Sequence, residues 1–139
     1  MLFEDYILRQ ISQLVAVLAK IAGFKQAGSY QEAFKIIDQT IEETLGLNAS
    51  IVKQLDDSRL IDLLSTENGI DLGRIYVLAG LLEAEGDLFS AQQRSQASRE
   101  SYQHALNLFR ELSSHSIPGL EREVSSKINA LQVKLAFQD

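Results

Sequence analysis

Two histidines, His104 and His115, are the side chains best suited to proton transfer or metal binding near neutral pH. Neither stands three residues after a glutamate, so the Glu-x-x-His spacing of di-metal helical bundles is missing, as is His-Glu-x-x-His. The stretch "SSHS" sets serines beside His115, but sequence neighbours do not make a nucleophile and base, and it reads as a helix-capping loop. Carboxylates pair at Glu42-Glu43, Asp56-Asp57 and Glu121/Glu123. Adjacent helical residues point in different directions, so these read as solvated faces, with Asp56 or Asp57 as a cap. Phosphate-cradling loops and the G-x-S-x-G elbow are absent. The sequence therefore predicts no catalytic, cofactor or metal residues, and the chain reads as a non-enzyme.

The elements around these residues are helical. Ile7, Ile11, Leu14, Val15, Leu18, Ile21 and Ala22 recur at spacings of three and four, predicting a helix from about Glu4 to Gln26. In "GSYQE", Gly28 stops that helix, and Ser29 with Glu32 forms the S-x-x-E pattern of a capping box for the next, which ends near Gly46. So short a connection predicts an antiparallel hairpin. Between Leu47 and Ile70 two short helices are expected, capped by Asn48 or Ser50 and by Asp56 or Asp57, followed by a loop at "STENG". A helix from Asp71 carries "IYVLAGLLEA", apolar on nearly every face, and is expected at the centre of the domain. Gly80 within it disfavours the helix by about 1 kcal/mol, which close approach of a neighbour would offset. In "EGDLFSA", Gly86 and Asp87 read as a second elbow, opening a helix over 88–113 whose continuity the sequence leaves open. A last helix begins near Pro118, with Leu120, Val124, Ile128, Leu131 and Leu135 as its stripe.

The two elbows resemble those of the tetratricopeptide repeat, on Gly28, Tyr30, Ala33 and Ile37 and on Gly86, Asp87 and Ala91. Phe24 falls where the repeat's first helix carries an aromatic. Their glycines stand 58 residues apart against 34 in a tandem array. The excess matches 47–70, which reads as an insertion. Ala105-Leu106 falls 19 residues after Gly86, where the repeat places such a pair at 12, and an extension of two helical turns accounts for the difference. The whole chain is also similar to a group of small bacterial proteins with tetratricopeptide-like folds, through "EDYILRQISQL" and "GRIYVLAGLLEAEGD". The resemblance implies a helical fold and supplies no activity.

The fold is therefore expected to be all-α, with five main helices and two short ones in one domain. Residues 1–46 make a first hairpin, 47–70 an insertion, 71–113 a second hairpin and 114–139 a C-terminal helix. The chain has 139 residues, no cysteine and a net charge of −6. It thus has no disulfides or thiolate metal sites, and no basic run for nucleic acid. Glu4 and Asp5 precede the first apolar run, unlike a signal peptide. "LVAVLAKIAGF" carries Lys20 and reads as too short to span a bilayer, so a soluble cytoplasmic protein with no membrane partner is expected.

The segment "AQQRSQASRES" has no large apolar residue from Gln92 to Ser101. With Ala91, Ser95 and Ser98 facing inward before Tyr102, it reads either as a solvated helix overhanging its partner or as a contact surface. In the second reading Arg94, Ser98 and Arg99 bind an acidic protein partner or a second copy, as in a homodimer. The functional expectation is a non-enzymatic protein–protein interaction or scaffold module. The alternative is a small-molecule binder or enzyme with a pocket between the hairpins and the insertion, near Asp71, Arg74 or His104. Tyr6, Phe24, Tyr30, Tyr76 and Phe109, at helical spacing, read as core.

Overall fold

The computed structural model describes residues 3–137. Their order is α1 (Phe3–Gln26), α2 (Tyr30–Leu45), α3 (Ala49–Gln54), α4 (Asp57–Leu63), β1 (Ser65–Thr66), β2 (Gly69–Ile70), α5 (Leu72–Ala91), α6 (Ser95–Ser113) and α7 (Glu121–Ala136). The fold is all-α, with five long and two short helices among the described residues. The loop expected at "STENG" is a miniature antiparallel hairpin, with Ser65 opposite Ile70 and Thr66 opposite Gly69. Thr66 holds its turn through its hydroxyl, which donates to Gly69 O (3.1 Å) and accepts from Asn68 N (3.2 Å).

Helix α5 is the axis of the molecule, and α1, α2 and α6 all pack on it. Fourteen of its residues are buried, as a helix apolar on every side requires. Gly80 lets α1 come close, since a Cβ there would lie 2.8 Å from Leu14 Cδ2. α1 buries Ile7, Leu14 and Ile21 on this side, one every seventh residue. By length and composition alone α1 is apolar enough to cross a membrane over Asp5–Gln26, with mean hydropathy 1.4. The core helix of a soluble protein meets the same measure, and Ile7, Leu14 and Ile21 of this helix are buried in the fold.

The first elbow is built by backbone. Gly28 adopts φ +75°, Gly28 N donates to Lys25 O (3.1 Å) and Ser29 N donates to Phe24 O (2.8 Å). This pair of hydrogen bonds is the Schellman closure of a helix end. The expected capping box does not form: Ser29 sits at ψ 62°, outside the extended region a side-chain cap uses, and makes no cap hydrogen bond. Asn48 and Asp56 do cap α3 and α4, accepting from Ser50 N (2.9 Å) and Arg59 N (2.9 Å).

The second elbow is not at Gly86. α5 runs through Gly86 and Asp87 to Ala91, and the chain turns at Gln92–Arg94, so 88–113 is two helices, not one. Gln93 takes φ 61°, Gln93 N donates to Ser90 O (3.0 Å) and Arg94 N to Phe89 O (2.9 Å). Each bond repeats one at the first elbow, with Gln93 in place of Gly28 and Phe89 in place of Phe24. A left-handed residue other than glycine is disfavoured by about 1 kcal/mol. The contacts of Phe89 offset this: its ring lies 4.9 Å from that of Phe34, and the Arg94 guanidinium stacks 4.6 Å above it. Gly86 instead serves packing, because a Cβ there would fall 2.5 Å from the Tyr102 ring of α6. From the true turn, Ala105 is 12 residues on, so no helix extension is needed. Pro118 also stands ahead of its helix, in a turn completed by Gly119 (φ +86°).

Candidate interaction groove

α1 and α7 flank α5 and leave a furrow along it. Two contiguous depressions, of about 140 and 220 Å³, share Leu18, Gly80 and Lys127. One end is apolar and aromatic, with Ile11, Leu14, Val15, Tyr76 and Phe109. At the other end Glu83 and Asp87 form the floor, and Lys25, Lys127 and Lys134 line it.

The floor charges are paired. Glu83, buried, accepts from Lys127 Nζ (3.3 Å) and Lys134 Nζ (3.1 Å). Asp87 Oδ1 accepts from Lys134 Nζ (3.0 Å) and from the Tyr102 hydroxyl (2.5 Å). Burial lowers the Lys134 pKa, but Asp87 and Glu83 outweigh it and hold the ammonium above its ordinary value. Burial, then Asp87, pushes the Tyr102 phenol up; burial, then Glu123, does the same for Tyr76, whose hydroxyl donates to Glu123 (3.2 Å). Both phenols stay protonated and act as fixed donors. Among the described residues Lys25 has no ion-pair partner and is exposed. The furrow thus offers a partner an apolar wall and a cationic rim.

The opposite side of α5 carries a second polar cluster, which fastens the 47–70 insertion. Lys53 of α3 ion-pairs with Glu85 and with Asp38 (2.7 Å). Glu85 Oε1 also accepts from the Ser101 hydroxyl (3.1 Å). Asp57, the first residue of α4, is no cap: it meets His104 Nδ1 (3.0 Å) and accepts from Asn107 Nδ2 (2.6 Å). The bond to Asp57 is the main cause that lifts His104 above its ordinary pKa, against its burial. Burial raises Asp57, but the His104 and Asn107 bonds leave it lowered. The His115 ring meets Glu111, one turn earlier (3.1 Å).

The residues singled out for partner binding do not form one surface. Ser98 is fully buried and donates to Gly86 O (2.8 Å), so it belongs to the α5–α6 packing and cannot contact a partner. Arg94 is exposed but stacked on Phe89 at the elbow, while Arg99 is exposed on α6. Ala91 and Ser95 are exposed rather than inward-facing. Ser98 and Tyr102 do face inward as expected, but Ala91 ends α5 and Ser95 opens α6, because the chain turns at Gln92–Arg94 and not at Gly86. The furrow residues were missed, although Glu83 and Asp87, four apart in an apolar helix, were a legible signal.

A larger depression, about 590 Å³, lies elsewhere, between α1, α2 and the start of α5. Its lining includes Tyr6, Gln10, Gln13, Glu43, Thr44 and Arg74, and no residue of 47–70. Tyr6 donates to Asp71 (3.2 Å), which holds Arg74 at 3.5 Å. Among the described residues no three His, Asp or Glu side chains gather to hold a metal. Comparison with known families, with curated proteins and with solved structures gives no match.

Proposed function

We propose that the protein is a non-enzymatic, tetratricopeptide-like interaction module that receives a helical protein segment in the furrow between α1 and α7. The observation that carries this reading is the furrow itself: a helix-walled channel with an apolar end, a glycine in its floor and a lysine rim. An amphipathic helix supplies what such a channel lacks, apolar side chains at i, i+3 and i+4. Two further features support it. The paired turns repeat the same closure, as hairpin repeats do, and the floor carboxylates already have counter-ions. Selection of displayed peptides on the immobilised protein tests it. Enriched sequences carrying that helical pattern, and at least tenfold weaker binding by Leu18→Glu, are expected. Ligands indifferent to Leu18 and Lys127 would refute the furrow as the site.

A second reading, binding of a small molecule, draws on the 590 Å³ cleft. Gln10, Gln13, Glu43 and Thr44 converge there without hydrogen-bond partners among the described residues, beside Arg74. A cation and an anion over an apolar wall suit a zwitterionic ligand. A thermal-shift panel of amino acids, compared with Arg74→Gln, decides it: stabilisation lost in the variant supports the cleft.

A further inference from the structure

The side of α1 turned away from the core is the least explained surface of the molecule. Leu8 and Val15 are each 60% exposed, Ala22 is exposed, and Ile11 and Leu18 are half-buried between them. These five residues recur at spacings of three and four, the a and d positions of a heptad seam. The buried residues Ile7, Leu14 and Ile21 run beside that seam and belong to the core. α1 thus presents two apolar stripes, of which its own fold covers one.

We propose that a second copy of this chain covers the other, with the two α1 helices packed antiparallel about a two-fold axis at Val15. This rests on the reading of the α1–α7 furrow as a helix-binding surface and names its occupant. The stripe is complementary to itself. An antiparallel pair centred on Val15 sets Leu8 level with Ala22 of the second copy, and brings Ile11 within one residue, about 1.5 Å along the axis, of Leu18. Val15 meets its own counterpart. The same register sets the exposed Asp5 against the exposed Lys25, once at each end. A parallel pair would instead oppose Asp5 to Asp5 and Lys25 to Lys25, which is repulsive. Ser12 and Ala19, small residues flanking the seam, leave room for a close helix. The chain is acidic overall, yet α1 from Asp5 onward carries Arg9, Lys20 and Lys25 against one carboxylate. Two otherwise repelling molecules therefore meet at their least repelling face.

The absence of cysteine makes the test clean. Light scattering is expected to give twice the 15.5 kDa chain mass at micromolar concentration. Under mild oxidation Val15→Cys should cross-link to itself, while Leu63→Cys, exposed on α4, should not. A mixture of Leu8→Cys and Ala22→Cys should cross-link between variants. Cross-linking of Leu8→Cys alone would mean a parallel pair and overturn the arrangement. Lys25→Glu should weaken the dimer at least tenfold, and Asp5→Lys together with Lys25→Glu should restore it. A single-chain mass up to millimolar concentration would refute the second copy while leaving the furrow open to peptides, so the two readings fail separately. A monomer that sediments with phosphatidylserine vesicles, and no longer does so as Val15→Glu, would assign the stripe to a lipid surface instead.

Discussion

Ser98 illustrates how one side chain changes meaning when its surroundings are known. In sequence it lies in a polar run; in the fold it has no exposure, and its hydroxyl donates to a backbone carbonyl of the facing helix. Ser98→Ala removes that bond and is expected to lower unfolding free energy by about 1 kcal/mol. Ser98→Glu forces a charge into the same space and should cost about 3 kcal/mol or more, read by urea denaturation. His104 allows a pH test. Its folded pKa is raised above 6.5, so the stability it adds is complete below about pH 6.5 and fades as pH rises through the raised value. Asp57 is lowered below 3.8, so its share is present above about pH 4 and is lost on further acidification. The pair therefore contributes most between these limits. His104→Gln should destabilise by about 1 kcal/mol near pH 5.5, allowing for solvent screening, and by clearly less near pH 8.5. Equal losses at both pH values would show that the ring acts only by packing.

At the scale of elements, the two turns set the helix lengths, and their glycine contents mislead. Gly28 and Gln93 occupy the same left-handed position, so Gln93→Gly should stabilise by about 1 kcal/mol in chemical denaturation. The glycines inside α5 answer to packing. Alanine favours a helix by about 1 kcal/mol over glycine, yet Gly86→Ala is expected to destabilise by more than that gain, because its Cβ would meet a rigid ring at 2.5 Å. At Gly80 the obstacle is a leucine methyl at 2.8 Å, the end of a flexible chain, so Gly80→Ala should cost less. Thermal unfolding of the two variants side by side gives the order. The small cost at Gly80 makes it a usable probe of the furrow floor.

For the whole molecule, the insertion is fastened to the central helix by one buried charge. Glu85 is 4% exposed, and its Oε2 has the Lys53 ammonium as its counterpart. Lys53→Met leaves that carboxylate unpaired, a change expected to cost about 3 kcal/mol and to speed hydrogen exchange across 47–70 before the rest of the chain. Replacing Glu85 and Lys53 together by Leu and Met should recover most of the loss. This cluster and the furrow lie on opposite sides of α5, so a partner in the furrow and the clamp on the insertion act on the same helix without sharing residues.

The helices, the first turn, the caps at Asn48 and Asp56 and the buried nature of α5 follow from local information, because periodicity, glycine and short polar acceptors act within a turn or two of themselves. The second turn did not follow, since Gln93 reaches a left-handed backbone only with Phe89, Phe34 and Arg94 stacked around it, contacts that bring together two hairpins. Glu83, Glu85 and Asp87 were visible as charges in an apolar helix. Which of them met Lys127, Lys134 or Lys53 depended on two other helices, α7 and α3, arriving at that axis. Only the tertiary structure could separate the stripe of α1 that the core consumes from the one it leaves uncovered, because both have the same period and the division is made by the position of α5.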